Sequence, residues 1–183
     1  MELKEAINRR HSTRSFKRSK APLKDVFDVL ESVLHAPMAG NVCTVRLILV
    51  EDADLKSNLA EASPDNEFIT DAGHVVVVCS DLKKAKILYE EKGQFYAAQQ
   101  AGAAIQNLLL TAESLGIASC WTSSFDESAV KRYLEIPDDF RVEAIIPLGN
   151  ELNKPEKKRK VAFKEVVYYN KFGTKKQEFI ISK

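Results

Sequence analysis

The chain has 183 residues, enough for one domain with a buried core, and 45% of them are hydrophobic and 29% charged, as in an ordinary globular protein. Its 27 basic and 26 acidic residues nearly cancel, which argues against a general nucleic-acid or membrane binder. No apolar run approaches the about 20 residues that span a bilayer, and the three cysteines form no C-x-x-C pair. We therefore expect one domain over residues 1–183, located in the reducing cytoplasm.

Hydrophobic spacing predicts helices first, and then strands that alternate with helices. Helices are expected over residues 3–10, 22–37, 52–62, 94–117 and 126–134. Strands are expected over residues 44–51, 74–80 and 140–149, with a further strand running into a turn over 118–124. In the second helix the predicted core face consists of Val26, Leu30, Val33 and Leu34, with Phe27 alongside.

This order of elements favours an α/β or α+β sandwich, in which helices cover a sheet. The tail adds two β-prone runs, residues 165–169 and 178–182, separated by a polar turn. A terminal run of this kind often pairs with a sheet, and in a dimer that sheet can belong to the neighbouring subunit.

The usual catalytic and metal-binding patterns are missing from the sequence. His11, His35 and His74 have no metal-ligand spacing, so no metal site is expected. The G-x-S-x-G, G-x-x-x-x-G-K-[ST] and G-x-G-x-x-G motifs are absent too. Because the chain has only seven glycines, a bound anion would have to be held by side chains rather than by a glycine-rich loop.

Two basic clusters could hold such an anion. The first is "RRHSTRSF", where Arg10 and Arg14 supply planar guanidinium donors beside His11 and Ser12. The second is "KKRK" at residues 157–160. If folding or dimerisation brings them together, they would bind a phosphate monoester, whereas for each alone a solvated basic surface is the favoured interpretation. A nucleic-acid site is less favoured, because few aromatic residues accompany either cluster.

Five segments, in order along nearly the whole chain, resemble the nitroreductase-like family of FMN-dependent oxidoreductases. "RRHSTRSF" resembles the family's R-R-S-x-R-x-F, and "VLHAPMAGN" resembles its A-P-S-x-x-N loop. "AAIQNLLLTAESLGIASCWTSSFDESAVKRYLEIP" is similar to the central helix, strand and W-x-x-x-F-D turn. "AIIPLGNE" is similar to the strand that ends in P-x-G, and "KKRKVAFKEVVYYNKFG" resembles the R-K-P-L-E-E-V-V tail.

The resemblance implies an α+β fold with a mixed, mainly antiparallel sheet flanked by helices. It also implies a homodimer that binds FMN at the subunit interface and exchanges its C-terminal arm with the partner. The implied reaction passes a hydride from NADH or NADPH through FMN to an organic acceptor such as a nitroaromatic or a quinone. Since the flavin performs this chemistry, no catalytic side chain is expected.

The resemblance also assigns candidate cofactor contacts. Those implied for the phosphate and the ribityl chain are Arg10, His11, Ser12 and Arg14, with Lys158, Arg159 and Lys160 as further phosphate donors. The loop implied to reach over the partner's flavin ring contains Pro37, Met38, Ala39 and Asn41. The turn implied to face flavin N5 contains Thr122, Ser123 and Ser124. Gly149 is implied to lie near the phosphate.

The chain departs from the family pattern in two places. Cys43-Thr44-Val45 replaces the usual Q-P-W triplet, and Met38 replaces the loop serine. The stretch 81–94, where larger members of the family build a lid over the flavin, is compact here. The sequence therefore does not identify the electron acceptor. These departures keep a second hypothesis in place, a flavin-binding protein with little turnover that serves storage or sensing. A third is a basic-patch protein that binds nucleotides or RNA without flavin.

Overall fold

The computed structural model describes residues 1–155 and 160–176. In this part of the chain the helices and strands are α1 Leu3–Arg9, α2 Leu23–Glu31, β1 Val45–Val50, α3 Ala53–Glu61, β2 His74–Asp81, α4 Leu82–Tyr89, α5 Gly93–Ser114, β3 Ala118–Ser119, α6 Glu127–Tyr133, β4 Phe140–Gly149 and α7 Phe163–Val166. Short 3₁₀ turns occupy Ser32–His35, Ala39–Asn41, Glu67–Ile69 and Glu90–Lys92. Among the described helices, none is long and apolar enough to cross a membrane.

The four strands form one sheet in the order β1-β2-β4-β3, and every pair is antiparallel. The sequence predicted a mixed, mainly antiparallel sheet, whereas all pairs of the described strands are antiparallel. Of the two predicted fold classes, α/β and α+β, the second is confirmed. The central strand β2 pairs with β1 and β4, so that Val77 lies between Ile48 and Ile145. A bulge between Val78 and Cys79 shifts the register with β4.

Both faces of the sheet are covered, which explains why β2 and β4 are continuous apolar runs rather than alternating ones. One core contains Val76, Val78 and Ile146 together with α2 and α5. The other contains Val75, Val77 and Ile145 together with α3 and α6. The long helix α5 lies against the first face and connects the site loops described below to the sheet.

The sequence prediction holds for every element up to residue 149, with shorter bounds except at β4, which has the predicted bounds, and β2, which is one residue longer; α4 has no counterpart in it. The predicted core face of the second helix is partly wrong. Val26, Val29 and Val33 are buried, whereas Phe27 is 54% and Leu34 60% exposed. The α-helix ends at Glu31 and tightens into a 3₁₀ turn, whose three residues per turn rotate Leu34 out of the core.

The β-prone run at residues 165–169 is not a strand. Phe163–Val166 forms one helical turn, and the following residues bend back so that the Tyr169 amide donates to the Thr174 carbonyl at 2.9 Å. A β-propensity is expressed only where a neighbouring strand is within reach, and none of the described strands lies beside this segment. The run at residues 178–182 lies outside the described residues.

Candidate functional site

The first basic cluster is fixed to the end of the sheet by backbone hydrogen bonds. Phe16 pairs with Glu151 in an antiparallel bridge just beyond β4, and the Lys17 amide donates to the Asn150 carbonyl at 2.9 Å. The Thr13 amide donates to the Ser119 carbonyl of β3 at 3.0 Å. Residues 10–16 therefore run alongside the β3–β4 edge, next to the segment that leads into the second basic cluster.

The arginines of this region differ in their partners. Arg9 pairs with Glu5 at 3.2 Å and Glu113 at 3.3 Å, while Arg18, further along the same segment, pairs with Asp71 at 3.5 Å. The Arg10 amide donates to the Ala6 carbonyl at 2.9 Å, but the guanidinium groups of Arg10 and Arg14 make no hydrogen bond or ion pair within residues 1–155 and 160–176. Two guanidinium groups without an acidic partner, held close together in sequence, form a ready site for an anion.

The Cys120 thiol connects Arg10 and Arg14 to the turn that follows β3. Burial raises the pKa of this thiol, and the charges of Arg14 and Arg10 and the hydroxyls of Thr122 and Ser12 oppose that rise. The Thr122 and Ser12 hydroxyls therefore lie near the sulfur atom, and the two arginines are near enough for their charges to act on it. Thr122 Oγ1 is buried and, apart from the Cys120 thiol, has no hydrogen-bond partner in the part of the chain that the structure describes. The site thus contains a buried hydroxyl without an oxygen or nitrogen partner, together with two unpaired guanidinium groups.

The turn after β3 presents hydroxyls and backbone groups to solvent. Thr122 is anchored by its own backbone, since its amide donates to the Ile145 carbonyl at 3.0 Å and its carbonyl accepts from the Ile145 amide at 2.9 Å. Ser123 and Ser124 are exposed, and Trp121 Nε1 donates to Ser123 Oγ at 2.8 Å. The Asp126 carboxylate ends the turn as the predicted cap of α6, accepting from the Ser128 amide at 2.9 Å.

The loop at residues 37–44 is held against α5 by a buried amide. Gln100 Oε1 accepts from Thr44 Oγ1 at 2.6 Å, and Gln100 Nε2 donates to the Val42 carbonyl at 3.4 Å. Gly40 and Asn41 adopt φ of 56° and 58°, a left-handed conformation that aims the exposed Asn41 side chain away from the core. The loop is therefore anchored at its C-terminal end while Asn41 stays open to a ligand.

Tyr89 packs directly on this loop, because a Cβ added to Gly40 would overlap its hydroxyl. Its ring also meets Tyr96 edge-on, with 5.0 Å between centroids, and Phe95 stacks beside Tyr96. Phe95 is 62% exposed. Phe95 and Tyr96, at the start of α5, thus belong to an aromatic group that borders the loop.

Two of the candidate residues, His11 and Gly149, have roles within the chain. Both ring nitrogens of His11 have protein partners, Arg9 O at 2.9 Å and Glu151 Oε1 at 2.6 Å, so the ring has no donor free for a ligand. Gly149 packs so closely that a Cβ would lie 3.1 Å from the Gly73 nitrogen. Met38 is half-buried, and its neighbours Pro37 and Ala39 continue the loop.

In the second basic cluster Lys160 is exposed, whereas Lys158 and Arg159 lie outside the described residues. Their phosphate contacts, like those of the other candidate residues, stay predictions. The sequence reasoning missed Gln100 and Glu151, which organise the site without touching a ligand. The signal for Gln100 was a single polar side chain at a core position of a helix rich in small residues. No sequence signal marks Glu151.

Residues 10–16 and the turn after β3 offer cations and hydroxyl donors, and the separate anchored loop offers the exposed amide of Asn41. Arg10 and Arg14 suit a phosphate, and Ser12, Thr122 and Ser123 suit the hydroxyls of a polar chain. The donor set therefore fits FMN, a phosphate monoester joined through a polyhydroxyl chain to a planar ring.

Comparisons with known proteins agree with this geometry. A sequence profile of the Nitroreductase family matches residues 7–66 and 64–150. An NADH dehydrogenase of Thermus thermophilus is 27% identical over 177 residues, covering 81% of this chain and 86% of that protein. An FMN reductase (NADPH) of Bacillus subtilis is 24% identical over 189 residues, covering 96% of this chain and 76% of that protein.

The fold shows the same relationship. The crystal structure of a nitroreductase family protein from Clostridium novyi superposes with a TM-score of 0.78 at 26% identity, covering 97% of this chain and 98% of that chain. The family profile and the superposition both cover most of the chain and agree with the order of motifs in the sequence. The chain belongs to the nitroreductase family, whose members are FMN-dependent NAD(P)H oxidoreductases.

Proposed function

We propose that this protein binds FMN and passes a hydride from NADH or NADPH through it to an organic acceptor such as a nitroaromatic or a quinone. The observation that carries the proposal is the pair of unpaired guanidiniums, Arg10 and Arg14, near the buried hydroxyl of Thr122, which has no oxygen or nitrogen partner in the described residues. A folded protein rarely leaves a buried hydroxyl without such a partner. A phosphate with an adjoining polyhydroxyl chain would satisfy them together.

In this proposal the chain's own residues bind and orient the cofactor. Arg10 and Arg14 hold the phosphate, with Lys158, Arg159 and Lys160 as further donors, and Ser12 contacts the ribityl chain. The chemistry supplied by bound FMN is two-electron transfer, in which a hydride arrives from the nicotinamide and leaves to the acceptor. In the turn at Thr122–Ser124 the Thr122 amide is bonded to the Ile145 carbonyl, so the N–H groups of Ser123 and Ser124 are the ones that would face the N5 edge of the ring and stabilise charge that develops there.

The loop containing Asn41 is proposed to cover the flavin bound mainly by the partner subunit. Its anchoring by Gln100 supports this role, because an anchored loop presents the Asn41 amide in one orientation. Pro37, Met38 and Ala39 give the loop a largely apolar wall. Such a wall keeps water away from the ring and suits an aromatic or quinoid acceptor.

A homodimer with exchanged C-terminal arms is part of the proposal. Ile7 of α1 and Leu23, Phe27 and Leu34 around α2 are 43–60% exposed, which is unusual for large apolar side chains on neighbouring helices. In the arm, Phe172 is 90% exposed. A second copy would cover both surfaces. We also propose that residues 1–183 act as one domain, and the three free cysteines support a reducing, cytoplasmic location.

The proposal is tested by reconstituting apo-protein with FMN and measuring its size by light scattering. We expect a yellow dimer with one FMN per chain. A protein that stays colourless, or a monomer that holds a full complement of flavin, contradicts the shared site. Flavin that is bleached by dithionite but by neither nicotinamide would support a storage or sensing protein instead.

A further inference from the structure

His11 and Glu151 form an ion pair between the end of α1 and the end of β4. His11 Nε2 lies 2.6 Å from Glu151 Oε1, and the same oxygen accepts from Thr13 Oγ1 at 3.1 Å. The side chains are 36% and 18% exposed. The pair therefore adds a side-chain contact to the backbone hydrogen bonds that already connect the first basic cluster to the segment leading into the second basic cluster.

The geometry fixes the charge of the histidine ring. His11 Nδ1 faces the Arg9 carbonyl at 2.9 Å, and a carbonyl can only accept a hydrogen bond. Nε2 faces a carboxylate, which when ionised also only accepts. Both ring nitrogens must then donate, so the pair consists of an imidazolium and a carboxylate.

Two further charged groups lie near His11. Glu113 of α5, which pairs with Arg9 at 3.3 Å, also favours the charged ring, whereas Arg10, the preceding residue, is an unpaired cation. Burial lowers the pKa of His11, but the hydrogen bonds to Glu151 and Arg9 and the charges of Glu151 and Glu113 outweigh it. The pKa of His11 therefore lies above its ordinary value.

We propose that His11 is a positioning residue that neutralises Glu151, so that Arg10 and Arg14 remain available for the cofactor phosphate. Without the imidazolium, the carboxylate would be a bare negative charge beside the phosphate site. It would attract the two guanidiniums and repel the ligand. This inference rests on the proposed function, and it replaces a direct ring contact between His11 and the cofactor by an indirect role.

The pair makes FMN affinity depend on pH. The charged pair is complete at pH values below the raised pKa of His11 and is lost as pH rises through it. The second pKa of a phosphate monoester is about 6, so FMN is a dianion across the range in which His11 titrates. A loss of affinity on the alkaline side thus belongs to the protein and not to the ligand.

The test is the dissociation constant of FMN for the apo-protein from about pH 6.5 to about pH 9, followed by quenching of flavin fluorescence. We expect the wild-type constant to rise about tenfold, or about 1.4 kcal/mol, across this range. Glu151→Gln keeps an acceptor for Thr13 and removes the charge, so its affinity should stay tight and flat. His11→Gln should be flat and weak, and the double variant should recover tight binding.

Two further measurements distinguish neutralisation of the Glu151 charge by His11 from a purely structural role of the His11 side chain. In the wild type, the His11 ring should titrate by NMR at the pH where affinity falls, and Glu151→Gln should lower that midpoint. Riboflavin, which has no phosphate, should bind with no alkaline loss. A pH-independent wild-type constant, or an alkaline loss that persists in Glu151→Gln, overturns the inference. If the wild type takes up no FMN at any pH, the proposed function falls as well.

Discussion

Arg14→Ala is the sharpest perturbation of the proposed phosphate site. Arg14 has no ion pair or hydrogen bond in the described residues, so its removal breaks no polar contact there and should leave folding intact. A hydrogen bond to a charged group contributes about 1.5–3 kcal/mol. At about 1.4 kcal/mol per tenfold, the FMN dissociation constant should rise roughly 10- to 150-fold.

The matched control is Arg18→Ala. Arg18 belongs to the same segment and carries the same charge, but its side chain is 92% exposed and pairs with Asp71 at 3.5 Å. An exposed pair of this kind contributes at most about 1 kcal/mol to stability, and its loss should leave FMN affinity within about twofold. Fluorescence titration of the two apo-proteins gives both constants. Equal affinities for Arg14→Ala, Arg18→Ala and the wild type would refute the assignment.

Three more predictions concern packing and reactivity. In Gly93→Ala the new Cβ would lie 2.6 Å from the Ala85 carbonyl carbon, so the unfolding free energy should fall by about 2 kcal/mol and Tm by about 4–8 °C; an unchanged melting curve would contradict this. Gln100→Leu leaves Thr44 without its 2.6 Å acceptor and should cost about 1–3 kcal/mol in denaturant unfolding, whereas a neutral effect would mean that the loop is not anchored there. Burial, assisted by nearby carboxylates, raises the pKa of Cys79 to about 12, so a thiol reagent followed by mass spectrometry should label it only after unfolding.

The sequence predicted well those features that depend on local patterns. The apolar runs of β2 and β4 marked strands covered on both faces, and Asp126 marked the start of α6. In each case neighbouring residues alone determine the structure.

Features that depend on distant contacts could not be predicted in the same way. Phe27 fits an apolar helix pattern equally well whether it faces the core or a partner, and only the packing of Val29 on the sheet shows that it faces outward. The run at residues 165–169 has the composition of a strand but no strand to pair with in the described chain. The helical turn forms there because local hydrogen bonds are the only ones available.

The candidate site shows the same division. Motif order in the sequence associated Arg10, Arg14 and the turn after β3, and in the structure the charges of both arginines and the hydroxyl of Thr122 act on the Cys120 thiol. The motif order gave no information on which arginines form ion pairs, since that depends on where Glu113 and Asp71 lie in the fold. The role of Glu151 also required the structure, because 140 residues separate it from His11.

The most direct test of the account is anaerobic stopped-flow reduction of the FMN-reconstituted protein by NADH and by NADPH. We predict that at least one nicotinamide bleaches the flavin absorbance in a single two-electron step, and that a quinone or a nitroaromatic then restores it. Flavin that binds tightly but keeps its absorbance with both nicotinamides, while dithionite bleaches it, would contradict the proposed oxidoreductase.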